Sequence, residues 1–348
     1  MRWLKNICIF IKVKLMLSYF NYINLIRHIA AIFVIYTHSF ELMNHQDIEY
    51  IKEIFSIDLG FLAVNIFFFL SGALIYTSAI NSDSLLNYFK KRLLRIYPAL
   101  FVCILITSFV FWILSTKSFY NFFTTKINIE YILNLFFIGK YSIVELFDSN
   151  YYPFVANGSL WTLRYELIMY AITSVFVFSF FKKSLYLPIT FFGTFLFLYI
   201  FTLDDPKSFT TNLGRLGSYF FIGVLLSRFN CYKYKALSLT VIFVSLFTLV
   251  YIKYYDEIFL LILISFTLKL SLDYVENYQH NKNKINFDIS YGLYIYAFPI
   301  QQLLVKYLEF DSVYTYFISA LVFTTIVASI SWLLIEKKTL RFKYAKTA

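Results

Sequence analysis

The sequence has few charged residues, few cysteines and no long polar segment. Charged residues make up 15% of its 348 residues, whereas soluble domains have about a quarter. No polar segment is long enough to fold as a separate soluble domain. The cysteines, Cys8, Cys103 and Cys231, lie far apart without the spacing of metal ligands. The sequence therefore indicates neither a disulfide scaffold nor a metal site.

Hydrophobic residues, by contrast, make up 60% of the chain, and 22% of the residues are aromatic. Apolar runs close to the roughly 20 residues needed to cross a bilayer fill most of the sequence. We therefore predict an all-α integral membrane protein, a bundle of about ten transmembrane helices. The net charge of +11 would suggest nucleic acid for a soluble protein. Here the basic residues cluster in alternate loops, as at the cytoplasmic ends of spans, so the expected partner is the lipid bilayer and not nucleic acid.

The charges of the loops predict the topology. The first span, 25–43, follows four basic residues and precedes an acid-rich loop, which places the N-terminus in the cytoplasm. The segment 131–147 is apolar but short and interrupted. If it crossed the membrane, later basic loops would fall outside, so we interpret it as re-entrant or interfacial, with both termini cytoplasmic. The other predicted spans are 59–80, 96–114, 160–181, 185–203, 212–229, 236–252, 258–274, 289–308 and 314–335.

Three segments make up the predicted domain organisation. Residues 24–336 form the transmembrane domain, and residues 337–348 form a basic cytoplasmic tail. Residues 1–23 are apolar but interrupted by lysines, which breaks the apolar region of a signal peptide and disfavours a span. This first segment is either a basic amphipathic anchor or the result of a start assigned too early, with Met16 as the true initiator.

The first span carries two polar residues that a membrane helix should avoid, Arg27 and His38. Helical geometry returns them to within roughly 20° of the same face, about 16 Å apart along the axis. A lone histidine near a helix end is usually a satisfied polar residue, but the aligned arginine favours a functional role. Because imidazole titrates near neutral pH, His38 is a candidate general base for a hydroxyl group.

Charged groups inside membrane spans cost about 2.5 to 3.5 kcal/mol each on insertion scales and are functional candidates by default. For Arg215, Lys269 and Lys306, a position near a span end or a side chain that reaches the interface is the simpler interpretation. The full set is Arg27, His38, Arg164, Glu166, Arg215, Lys269 and Lys306.

A predicted inner loop reads KKRLLRIYP and places Arg92 and Arg95 three residues apart. At that spacing both side chains project from one face of a helical turn. They are either a basic flank that touches lipid phosphates or a clamp for a phosphorylated ligand, since guanidinium groups match phosphate geometry. A cytoplasmic acyl-CoA would supply such phosphates.

The predicted outer entrance to the fourth span reads NGSLWTLRYELIMY. Trp161 lies where interfacial aromatic residues are common. Glu166 lies about one turn below the surface, and Tyr170 lies one turn further along the same face. The carboxylate of Glu166 either orients His38, as in a catalytic triad, or neutralises Arg164.

Together and in order, these stretches resemble the acyltransferase 3 family of membrane acyltransferases, which O-acylate surface glycans. Their joint order and spacing carry the resemblance, and no single motif is decisive. The matching stretches are the arginine and histidine at 27 and 38, FFFLSGALI at 67–75, Arg-x-x-Arg with IYP at 92–98, NGSLWTLRYELIMY at 157–170, RLGSYFFIGVLLS at 215–227, DISYGLYIYAFPIQQ at 288–302 and SWLLIEK at 331–337.

The resemblance implies an acyl-CoA donor on the cytoplasmic side and a histidine at the centre of the reaction. By position it implies that His38 is the catalytic base, that Arg27, Arg92 and Arg95 bind the donor, and that Glu166 belongs to the acceptor-side network. We predict His38 and Glu166 as catalytic residues. The residues that we predict on the acceptor side or as structural support are Trp161, Tyr170, Ser290 and Tyr291.

We therefore expect an enzyme of the inner cell membrane that moves an acyl group, acetyl in the simplest case, from acyl-CoA to a hydroxyl of a cell-surface or lipid-linked polysaccharide. Acetyl-CoA is then a co-substrate, and no cofactor is bound permanently. Transfer is either direct or passes through an acyl-enzyme. The alternative is a flippase or export subunit for lipid-linked oligosaccharide, which would not need an Arg-x-x-Arg facing the cytosol. A polysaccharide polymerase would place essential arginines in large outer loops, which are mostly acidic here.

Overall fold

The described part of the chain is helical. The computed structural model describes residues 22–43, 52, 58–143, 146–179, 186–229 and 287–344. Its helices are α1 (Tyr22–Met43), α2 (Leu59–Ile80), α3 (Leu85–Leu114), α4 (Phe119–Thr124), α5 (Lys126–Ile132), α6 (Leu163–Phe178), α7 (Tyr186–Phe201), α8 (Phe209–Phe229), α9 (Ser290–Tyr307), α10 (Val313–Ser331) and α11 (Lys337–Tyr344). Short 3₁₀ turns precede α6 at Gly158–Thr162 and follow α5 at Leu133–Phe136, and a π-helical turn, Trp332–Glu336, joins α10 to α11.

The predicted spans correspond to these helices wherever the chain is described. Five helical stretches are long and apolar enough to cross a membrane, which supports a helical membrane protein. They are Ile23–Met43, Leu59–Ile80, Leu85–Leu114, Gly158–Phe178 and Val313–Arg341. The predicted spans 236–252 and 258–274 lie outside the described residues, as do residues 1–21. The total of about ten spans and the side on which the termini lie stay predictions.

Helix α3 is longer than its predicted span because the basic stretch before it is helical and not a loop. The helix starts at Leu85, where the side chain of Ser84 accepts a hydrogen bond from the backbone N–H of Asn87. Lysine, arginine and leucine are good helix formers, and the helix continues through Pro98 for 30 residues. Arg92 and Arg95 are therefore carried on a rigid helix.

In its described residues, the segment 131–147, which we interpret as re-entrant or interfacial, does not form a spanning helix. Helix α5 has seven residues, and the 3₁₀ turn after it ends at Phe137 in a left-handed conformation (φ 62°). Further along, Asn157 Nδ2 donates a hydrogen bond to the carbonyl of Ile295, at 2.8 Å. Gly158 lies against the ring of Phe298. This irregular stretch thus packs beside the middle of α9, where the protein supplies partners for its polar groups.

Helices α2 and α8 approach each other closely enough for their backbones to touch. A Cβ atom on Gly72 would lie 1.9 Å from the carbonyl oxygen of Phe220, and a Cβ atom on Gly223 would lie 2.1 Å from the carbonyl oxygen of Phe69. Small residues allow such close crossings of membrane helices. On its other side α2 packs against α1, and α1 packs against α9. The glycine pair therefore fixes the position of α2 within the bundle.

The predicted basic tail begins as helix α11, which packs against α3. Leu340 is 5% exposed and belongs to a buried apolar cluster with Trp332. The start of the tail is thus docked on the bundle, and residues 345–348 lie outside the described part.

Candidate active site

Helices α1, α2, α3, α6 and α9 surround a cavity of about 130 Å³. Apolar side chains of α2 form much of its wall, and polar side chains of the other helices face it. Most of the site residues predicted from sequence line this cavity. They are Arg27, Arg92, Arg95, Glu166, Tyr170, Ser290 and Tyr291.

Two of the arginines in the cavity share one carboxylate. Arg27 Nη1 lies 2.7 Å from Asp288 Oδ2, and Arg95 Nη2 lies 2.6 Å from the same oxygen. The arginine side chains are 20% and 19% exposed, whereas the Asp288 side chain is 6% exposed. The ion triad of Arg27, Asp288 and Arg95 therefore joins α1, α3 and the start of α9 at the cavity.

The second oxygen of Asp288 is held by the start of α9. Asp288 Oδ1 accepts hydrogen bonds from the backbone N–H of Ser290 at 3.1 Å and from its hydroxyl at 2.6 Å. Burial alone would raise the pKa of this carboxyl group, but the guanidinium groups of Arg27 and Arg95 and the bonds from Ser290 hold the pKa of Asp288 well below its usual range. The carboxylate is thus ionised at neutral pH, as the two cations require.

Arg92 lies one turn before Arg95 on the same face of α3. Its Nη2 donates to the hydroxyl of Ser78 at 2.9 Å, and its buried Nε has no hydrogen-bond partner among the described residues. Ser78 is uncharged, so this guanidinium brings an uncompensated positive charge to the cavity wall. Asp288 and Glu166 line or adjoin the same cavity, and Glu336 lies near enough to attract Arg95 and Arg27 electrostatically.

Glu166 belongs to a small polar network inside the cavity. Its Oε1 accepts hydrogen bonds from the hydroxyl of Tyr170 and, at 3.3 Å, from that of Ser71. Tyr88 in turn donates to the backbone carbonyl of Tyr170 at 3.1 Å. Glu166 thus pairs with Ser71 and Tyr170, and it contacts neither His38 nor Arg164 among the described hydrogen bonds and ion pairs.

His38 lies near the C-terminal end of α1, on the same uninterrupted helix as Arg27. Its ring packs edge-on against Phe298, with 5.1 Å between the ring centres. Its buried Nδ1 has no hydrogen-bond partner in the described part of the chain. His38 is not one of the residues that line the cavity. Buried polar atoms are nearly always paired, so this nitrogen is an exception among the described residues.

The remaining predicted residues have defined packing partners. Trp161 packs edge-on against Tyr165, away from the cavity lining. Tyr291 donates its hydroxyl to the carbonyl of Ile96 at 3.2 Å. Arg164 is exposed and lies over the ring of Tyr165, 5.0 Å from its centre. Of these contacts only that of Tyr291 with Ile96 joins two helices, and none of the three is an ion pair.

Arg215 is buried rather than directed toward an interface. Its two terminal nitrogens donate to Asn65 Oδ1 and Asn212 Oδ1, each at 2.8 Å, and its guanidinium lies 3.8 Å from the centre of the Phe61 ring. The group is 5% exposed. Arg215 therefore joins α8 to α2. Lys269, which we also interpret as a residue whose side chain reaches the interface, lies outside the described residues.

Asp288 is the site residue that the sequence interpretation did not single out. It begins the stretch DISYGLYIYAFPIQQ, two residues before the first residue of α9, whose N-cap residue is Ile289. A signal was available in the sequence, because an acidic residue directly before a predicted span, at the end where we expect basic residues, is unusual. Its partners Arg27 and Arg95 lie 261 and 193 residues away in the sequence. Local sequence patterns therefore do not predict these ion pairs.

Comparisons with known proteins agree with the geometry. The family model of the acyltransferase domain, acyltransferase 3, matches residues 20–335. An O-acetyl transferase of Shigella phage Sf6 is 29% identical over 326 residues, or 90% of this chain and 94% of that protein. Nodulation protein 10 of Rhizobium leguminosarum bv. viciae is 30% identical over 164 residues, or 43% of this chain and 42% of that protein. No solved structure matches the chain.

The matched range includes α1 to α10 in full and every residue of the ion triad. The resemblance seen in the order of the motifs is thereby confirmed, and the chain belongs to the acyltransferase 3 family.

Proposed function

We propose that this protein transfers an acyl group, acetyl in the simplest case, from a cytoplasmic acyl-CoA to a hydroxyl group of a cell-surface or lipid-linked polysaccharide. The phage relative is named an O-acetyl transferase, which supports both the acetyl group and the oxygen acceptor. The observation that carries the proposal is the meeting of Arg27, Arg92 and Arg95 at one cavity. A cluster of guanidinium groups with N–H donors that the protein leaves unused is suited to a donor that bears phosphates.

The donor binds with its phosphates at the three arginines. Arg27 and Arg95 are held in place by Asp288, and Arg92 is uncompensated beside them. The basic residues that surround this region of the sequence support a cytoplasmic entrance. The thioester arm then extends along α1, whose axis separates Arg27 from His38 by about 16 Å.

His38 acts as the general base. It takes the proton of the acceptor hydroxyl, the oxygen attacks the thioester carbonyl carbon, and the carbon–sulfur bond breaks as the proton passes to the departing thiolate. The unpaired Nδ1 of His38 supports this role. Glu166 lines the donor cavity, so its proposed part in the acceptor network requires that the acceptor hydroxyl also reaches this cavity.

Mass spectrometry of the surface polysaccharide, with and without the protein, tests the proposed function. We expect the acyl mass to disappear from one sugar when the gene is removed, and the purified protein to bind acetyl-CoA. A protein that shows no affinity for acetyl-CoA, and whose Arg92→Ala and Arg95→Ala variants alter only transport of the glycan, would instead be the flippase or export component.

Arg92→Ala is expected to raise the KM for acetyl-CoA by about 10- to 100-fold, because charge-assisted hydrogen bonds contribute about 1.5 to 3 kcal/mol. Arg92 has no carboxylate partner among the described residues, so its removal leaves no buried anion exposed. Initial-rate kinetics in membrane vesicles measure the change. Arg164→Ala is the matched control, since Arg164 is outside the cavity lining, and should leave this KM unchanged. Equal effects of the two variants would argue against a donor site at Arg92.

A further inference from the structure

We propose that Asp288 is a positioning residue that holds Arg27 and Arg95 together as a binding site for the phosphates at the nucleotide end of the acyl donor. This inference rests on the proposed function. It adds a residue to the donor site and states which half of the donor that residue serves.

The first argument is the geometry of the shared oxygen. Two guanidinium groups from different helices meet within 2.7 Å and 2.6 Å of Asp288 Oδ2. Two guanidinium groups that contact the same oxygen lie close together, and their positive charges repel each other strongly where little water screens them. Without an anion between them, the two side chains would turn apart, and Asp288 supplies that anion before any ligand arrives.

The second argument is the set of N–H donors that remains. One carboxylate balances one guanidinium within the ion triad, and Glu166 and Glu336 also attract these arginines electrostatically. Each guanidinium carries five N–H donors, and in the described part of the chain each donates to Asp288 through a single nitrogen. Several donors therefore stay available in a fixed arrangement, which suits the oxygens of a phosphate group.

The third argument is the rigidity of Asp288. Its other oxygen accepts two hydrogen bonds from Ser290, so the carboxylate is fixed to the first turn of α9. The neighbouring backbone N–H of Ile289 donates to His28 Nε2 at 3.2 Å, on the same helix as Arg27. The carboxylate is thus held by both α9 and α1. Because it orders the two arginine side chains before the donor binds, binding does not lose the conformational entropy of these side chains.

Arg215 provides an internal comparison for a purely structural arginine. Its guanidinium is enclosed by two asparagine oxygens and an aromatic ring and is 5% exposed. Arg27 and Arg95 are each about a fifth exposed and line a cavity. A triad that only joined helices would have no need to leave its cations open to the cavity.

The test uses two donors that differ in their phosphates. Acetyl-CoA carries the nucleotide phosphates, whereas S-acetylpantetheine has the same thioester arm without them. We expect Asp288→Asn to raise the KM for acetyl-CoA at least tenfold and to change the KM for S-acetylpantetheine less than twofold. Adenosine 3′,5′-bisphosphate should inhibit the wild-type protein competitively and the variant at least tenfold more weakly.

Asp288→Glu covers the case in which the asparagine variant does not fold. Glutamate keeps the negative charge but displaces it by one methylene, so we expect a stable protein. Its KM for acetyl-CoA should rise threefold or more, and its KM for S-acetylpantetheine should not rise. Equal losses with both donors, or an unchanged KM for acetyl-CoA, would overturn the inference, as would failure of both variants to accumulate. If the wild-type protein neither binds nor uses acetyl-CoA, the proposed function itself fails.

Discussion

His38→Ala is expected to reduce acyl transfer by about 10²- to 10⁴-fold, which is the usual contribution of a general base. The loss should appear in kcat rather than in the KM for the donor, because His38 lies outside the cavity that holds the three arginines. Transfer of radiolabelled acetyl from acetyl-CoA to membrane-associated glycan measures it. The protein should stay inserted, since the ring makes one aromatic contact and its Nδ1 has no described partner.

His38→Gln separates loss of the base from loss of packing. Glutamine retains hydrogen-bonding groups but does not take up a proton near neutral pH, so it should be as inactive as alanine. His45→Ala is the matched control, because His45 follows the first predicted span and is not among the predicted site residues. It should keep full activity. Retained transfer in both His38 variants would remove His38 from the chemistry, and equal defects at His45 would point to a general effect on the protein.

Features of the fold that depend on local composition could be predicted from sequence. The spans 59–80 and 185–203 correspond closely to α2 and α7 because each is a continuous apolar run bounded by polar residues. The pairing of Arg27 and His38 on one helix follows from periodicity alone. Helix α3 begins 11 residues, or about three turns, before its predicted span 96–114. A rule based on charge treats the basic residues as a loop, whereas their helix propensity continues the helix.

Features of the site that depend on distant parts of the chain could not be predicted in the same way. Arg92 and Arg95 were placed on one face correctly, but their partners, Ser78 and Asp288, come from other helices. The network of Glu166 likewise depends on how α2 packs on α6, which places Ser71 beside it. A single sequence shows which groups are unusual in a membrane, but the packing of the bundle decides which of them meet.

Gly72→Ala is expected to destabilise the protein by about 3 kcal/mol, at the upper end of the usual cost of overpacking. The new Cβ would lie 1.9 Å from the carbonyl oxygen of Phe220. This oxygen belongs to the backbone of α8, so no side-chain rotation relieves the clash, and the two helices must separate. The separation would move Ser71 away from Glu166 in the cavity, and donor binding should weaken along with the loss of stability.

Gly193→Ala is the matched control, because a Cβ at Gly193 of α7 meets nothing within 4 Å. There alanine should be neutral or stabilising by up to about 1 kcal/mol, from its higher helix propensity. Thermal unfolding in detergent compares the two variants, with Gly223→Ala as a second disruption of the same crossing, where the clash is with the carbonyl oxygen of Phe69 at 2.1 Å. If Gly72→Ala and Gly223→Ala unfolded at the wild-type temperature, α2 and α8 would not be in backbone contact. A lower unfolding temperature in both of these variants, with no change in Gly193→Ala, would show that stability depends on the crossing of α2 and α8. This crossing positions Ser71 at the donor cavity.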